Sequence, residues 1–96
     1  MNLEEMIRIL SEDGHEEYLK FSRVENPLHA RPDICAFLLL DKLVPGNTDI
    51  VTSAEHDKIW LDINLAELAV TATPEDITTL IRCGVHYDDD SLAMFV

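Results

Sequence analysis

From Ile59 onward the spacing of apolar residues changes period in a readable way. Ile59, Leu61 and Ile63 alternate with Trp60 and Asp62, the period of two that marks a half-buried strand. Asn64 follows where a helix N-cap belongs, with Glu67 three residues on. That pair predicts a capping box, in which each side chain satisfies a free backbone N–H. Thr73-Pro74 opens a second helix, with Glu75 and Asp76 in the first turn where the helix dipole favours anions. Gly84 is placed to end it in the left-handed conformation, with Val85 packing back on Leu80 as in a Schellman ending. A terminal hairpin is expected from Val85–Tyr87 and Leu92–Phe95, turning at Asp88-Asp89-Asp90-Ser91.

The first half is less evenly marked. Leu3, Met6, Ile7 and Leu10 recur at helical spacing behind an Asn2/Glu5 capping pair, and Gly14 after Ser11-Glu12-Asp13 is the expected stop. His15 to Val24 reads two ways. Glu16 and Lys20 stand at i,i+4 as in a helix, while Leu19, Phe21 and Arg23 alternate with polar neighbours as in a strand; the helix is preferred. Glu25 to Arg31 is a connection containing Asn26-Pro27. Pro32 then opens the most apolar segment, whose apolar residues fall all round a helix and predict burial. Ile34, Phe37 and Leu38, with Ile81, are the expected core. Pro45-Gly46-Asn47 stops this helix, and strands over 49–54 and 58–63 form a hairpin around Glu55-His56-Asp57.

The predicted fold class is α+β. It has a small, mainly antiparallel sheet of two hairpins, about 49–63 and 85–95. Four to five helices pack on one face, with the 32–44 helix the most buried. A chain of 96 residues supports one globular domain, 1–96, with a single core.

Composition adds one strong fact. Nineteen acidic residues against seven Lys and Arg give a formal net charge of −12. Such a surface repels nucleic acid and anionic membrane, and attracts basic partners. The longest apolar run, Ile34 to Leu40, is far short of the ~18 residues of a membrane span. The acidic start Met-Asn-Leu-Glu-Glu does not resemble an export signal, so a cytoplasmic location is expected. There, Cys35 and Cys83 are expected to be buried free thiols.

Candidate chemistry is sparse. His15, His29, His56 and His86 show no zinc-ligand spacing, and the cysteines form no C-x-x-C pair. His86-Tyr87-Asp88-Asp89-Asp90 offers the oxygen ligands that Mg²⁺ or Ca²⁺ prefers, yet lacks the glycine and glutamate of a calcium loop. A polar turn explains it better, because Asp bonds its own backbone two positions on. With three glycines and no phosphate loop or nucleophile elbow, no catalytic residue, cofactor or metal site is expected. Trp60 faces away from Ile59, Leu61 and Ile63, so it lies on an open sheet face or beneath a covering element.

These readings favour a small acidic interaction protein that occupies a basic protein surface. One form of it is mimicry of nucleic acid, as in inhibitor and immunity-type proteins of phages and mobile elements. The candidate partner-binding residues are Asp88, Asp89, Asp90, Glu55, Asp57 and Trp60. A structural or accessory subunit that self-associates is the first alternative, its acidity serving solubility. A small metal-dependent enzyme using His86 with Asp88–Asp90 is the second. Mimicry requires a continuous acidic face free of basic residues, a subunit requires a large apolar patch, and an enzyme requires a pocket onto which His86 converges.

Overall fold

The computed structural model describes residues 1–46 and 48–96, with Asp13 described in its backbone alone. Asn47, the last residue of the expected Pro45-Gly46-Asn47 stop, lies outside them. The elements run α1 (Leu3–Arg8), a π-helical turn (Ile9–Asp13), α2 (Gly14–Glu17), a 3-10 turn (Phe21–Arg23) and α3 (Pro32–Leu43). They continue with β1 (Val51–Glu55), β2 (Lys58–Leu61), α4 (Leu65–Thr71), α5 (Pro74–Arg82), β3 (His86–Asp88) and β4 (Ser91–Phe95). The four strands form one antiparallel sheet in the order β1-β2-β4-β3, so the second hairpin docks on the first through β4. This is the α+β fold and the pair of hairpins that the spacing predicts.

From Ile59 onward the helix start at Thr73-Pro74 and the ending at Gly84 act as expected, while Asn64 and Glu67 make a one-way N-cap rather than the expected reciprocal box. Asn64 Oδ1 accepts from the Glu67 N–H at 3.0 Å. Thr73 and Asp76 form a reciprocal capping box at the start of α5. At its end Gly84 adopts φ +104°, with the Val85 N–H on the Leu80 carbonyl and the Gly84 N–H on the Ile81 carbonyl, both 3.0 Å. That is the hydrogen-bond pair of a Schellman ending.

One core joins the layers. Met6, Leu10, Cys35, Ala36, Leu39, Leu40, Leu68, Ile77, Leu80 and Ile81 from the helices are buried against Leu61, Leu92 and Met94 from one sheet face. α3 supplies four buried residues, more than any other helix among the described residues. Two core expectations fail. Leu38 is 44% exposed, because only the Cys35/Ala36/Leu39/Leu40 stripe of α3 faces the core. Ile34 is half-buried outside the core cluster, and Phe37 packs on its margin. A helix apolar all round still has an outer side when it lies at the edge of a small domain.

Gly14 does not end the first helix. Its φ −58° and ψ −30° are right-handed, and the chain continues helically through the π turn to Glu17. The reversal comes at Leu19, at φ 62°, whose N–H donates to the Ile81 carbonyl at 3.3 Å. Glu17 secures the same junction, receiving Arg82 at 2.6 Å and Arg23 at 2.7 Å. Of the ambiguous 15–24 stretch, the helical reading holds to Glu17, and beyond it come the reversal at Tyr18–Leu19 and a 3-10 turn over Phe21–Arg23.

Candidate functional site

Strand alternation and register place Lys58 and Trp60 of β2 on the sheet face turned away from the core. They share it with Ser53 and Glu55 of β1, Ala93 and Phe95 of β4, and His86 and Asp88 of β3. Trp60 therefore lies opposite Ile59 and Leu61, and is half-buried. Ala93 on this face is fully buried although it lies outside the main core cluster.

Rings and one cation form a row across this face. Tyr18 meets His86 edge-on at 5.9 Å between centroids, and His86 stacks on Phe95 at 5.1 Å. The Lys58 ammonium stands 5.4 Å from the Phe95 ring centroid and 5.1 Å from that of Trp60. It also pairs with Asp88, reaching from the first hairpin across β4 to the second. This pair holds the Asp88 carboxyl below its ordinary value.

Burial, and then the Lys58 charge, push His86 below its ordinary 6.5. Its Nδ1 is buried without a hydrogen-bond partner among the described residues.

The six sequence candidates divide by position. Glu55, Trp60 and Asp89 line one open groove of about 340 Å³ on this face, together with Thr52, Ser53 and Ser91. Asp88 is on the face but committed to Lys58. Asp90 accepts from the Tyr87 hydroxyl at 2.8 Å. Asp57 sits in the β1–β2 turn, its carbonyl accepting from the Val96 N–H at 2.7 Å. The two acidic turns lie at opposite ends of the sheet. Along β4 they are separated by roughly 13 Å, at about 3.3 Å per residue. The candidate carboxylates of the two turns thus form two clusters with Trp60 between them.

Sequence reasoning missed Lys58 and Phe95, the cation and the second ring of the row. The available signal was spacing: Lys58 and Trp60 are two apart on one strand, and Phe95 is two from Ala93. Turning those facts into a site required the pairing of β2 with β4.

A second concavity, about 470 Å³, lies between the π turn and β3; Ser11, His15, Tyr18 and His86 contribute to it. His86 thus faces a groove, while Asp88, Asp89 and Asp90 are not among its lining residues. Among the described residues, no group of three His, Cys, Asp or Glu side chains is arranged to hold a metal ion. No helix of the described residues is long and apolar enough to cross a membrane. Cys35 and Cys83 are both buried and free, and they meet inside the core; burial first, and then Cys35, push the Cys83 thiol up to about 12.

No family model, curated protein or solved structure matches this chain.

Proposed function

We propose that the chain is an interaction protein that binds a basic surface of another protein with the open face of its sheet. The observation that carries this reading is the state of Lys58. The two hairpins, Val51 to Leu61 and His86 to Phe95, hold five acidic residues, Glu55, Asp57, Asp88, Asp89 and Asp90, against this one lysine and no arginine. Its ammonium is withdrawn among Trp60, Phe95 and Asp88, and the side chain is only 19% exposed. What remains outward is an aromatic centre, with Phe95 57% exposed, and carboxylates at its margins. Aromatic residues inside a polar rim are the arrangement that concentrates binding energy in protein interfaces. The negative rim selects for basic partners and speeds their approach.

Cross-linking tests this reading directly. A photoreactive residue at Ser53 on the open face is compared with one at Val70, 79% exposed on α4. In cells that make the protein, the reading predicts one recurrent adduct from Ser53, to a protein with a basic contact surface, and none from Val70. Equal adducts from both sites, or none from Ser53, would contradict it.

A second reading, self-association, is supported by β1. All five of its residues are exposed, and among the described residues no strand covers its outer edge. Such an edge is a template for pairing with another strand. Sedimentation separates the readings: a concentration-dependent dimer lost on Ala54→Pro, which removes an N–H of the outer edge rather than one paired with β2, favours self-association, and a monomer at all concentrations excludes it.

A further inference from the structure

We propose that Trp60, Phe95 and Asp88 form a cage for a lysine ammonium of the partner, which Lys58 occupies until the partner displaces it. The inference rests on the open-face reading and adds the group recognised and the chain's own competitor for it. The cage is visible because it is filled. A cation within about 6 Å of a ring centroid is attracted by the ring face, and the Lys58 ammonium meets that condition at two rings, 5.1 Å and 5.4 Å away. Asp88 closes a third side as a charge-assisted acceptor. Ala93, fully buried beneath, is small enough to leave room for a long side chain above it. Glu55 stands across from Lys58 in register, so a second carboxylate lies at the mouth.

Two rings and a carboxylate around an ammonium are the chemistry of a lysine receptor. Exchange of one ammonium for another leaves neither the rings nor Asp88 without a cation. A partner lysine entering the cage frees Lys58 to swing toward solvent, beside Glu55. The cost of burying an ammonium here is already met in the free protein, so the exchange discriminates by the contacts around the mouth. A guanidinium is flatter and broader than the group the cage now holds, which is why the assignment is to lysine.

Trp60 is the single tryptophan of the chain, so its emission reports on the cage without a label. The probe is tetralysine, titrated into the wild type, Lys58→Ala and Lys42→Ala. The last removes the same charge from an exposed site on α3. The expected result is binding to Lys58→Ala about tenfold tighter or more than to the other two, worth about 1.4 kcal/mol. Adding Asp88→Asn to Lys58→Ala should abolish the gain. Equal affinities for Lys58→Ala and Lys42→Ala would overturn the cage and leave only long-range charge; adducts from Ser53 would then still decide the open-face reading independently. Circular dichroism checks that Lys58→Ala folds. Should it not, the wild type carries the test: the Lys58 ε-methylene proton resonances, shifted upfield by the two rings, should move toward free-lysine values as tetralysine saturates. Resonances unmoved at saturation would overturn the proposal.

Discussion

Lys58 on the first hairpin pairs with Asp88 on the second, across the strand between them. The pair does more than hold the hairpins together. It withdraws from solvent the only ammonium of the two hairpins, and the Lys58 charge, opposed by Asp88, helps to push His86 below its ordinary value. Three properties of the site, its charge, its aromatic row and its titration, therefore depend on one side chain.

The titration is checkable. His86 lies below its ordinary 6.5 in the folded chain, so the unfolded chain binds more protons just below that pH. Its contribution to stability is complete above about 6.5 and is lost as pH falls toward the folded value. Denaturant unfolding at about pH 7 and about pH 5 should show reduced stability at the lower pH, with a smaller loss in His86→Phe. Glu17 and Asp88, lowered mainly by Arg82 and Lys58 respectively, add a second loss as pH falls below the ordinary carboxylate range.

The β3–β4 turn should gain stability when it loses charge. Asp89 and Asp90 sit at φ 53° and 60°, the two left-handed positions of a type I′ turn, where an asparagine followed by a glycine is the preferred pair. The double substitution Asp89→Asn with Asp90→Gly should stabilise by about 0.5 kcal/mol or more. That outweighs the exposed Tyr87–Asp90 hydrogen bond. A carboxylate kept at Asp90, where the backbone prefers glycine, is what a binding role for the turn would require. The same variant should therefore bind tetralysine more weakly while melting later. A destabilised variant would show that the aspartates serve the turn.

The thiols should be inert in the native state. Cys83 is buried and pushed up to about 12, so its thiolate is scarce at neutral pH. Labelling by a thiol reagent at about pH 8 should be slow in native protein and should reach both cysteines at once after denaturation. Fast native labelling of Cys83 would mean that the α3–α5 contact opens readily.

Core substitutions should follow the observed stripe of α3. Leu40→Ala, at a fully buried site, should cost about 2 to 5 kcal/mol. Leu38→Ala, at 44% exposure, should cost much less, near the ~0.5 kcal/mol typical of surface changes. Urea unfolding of the two variants would overturn this account of the helix if their order were reversed.

What the sequence revealed and what it hid have a common cause. Asn64, Thr73, Pro74 and Gly84 act through bonds to residues a few positions away, so their roles were legible. The end of the first helix was not, because Leu19 is held left-handed by Ile81, far along the chain. The exposed side of α3 was hidden for the same reason: nothing within that helix says which side meets the core. Trp60 could be placed opposite Leu61 from alternation alone. Its neighbours Lys58, Phe95 and Asp88 became a site only when β2 paired with β4.

The central claim is that the acidic open face receives a basic partner. The most direct measurement is the association rate with the protein cross-linked through Ser53, followed by Trp60 emission at about 0.01 M and about 0.1 M salt, where the screening length shortens from about 30 to 10 Å. The account predicts a steep fall in that rate for the wild type, with a slower rate and shallower fall for Asp89→Asn/Glu55→Gln. Glu4→Gln/Glu12→Gln, altered on the N-terminal helix, should behave nearly as the wild type. A rate indifferent to salt, or one equally slowed by both pairs of substitutions, would contradict it.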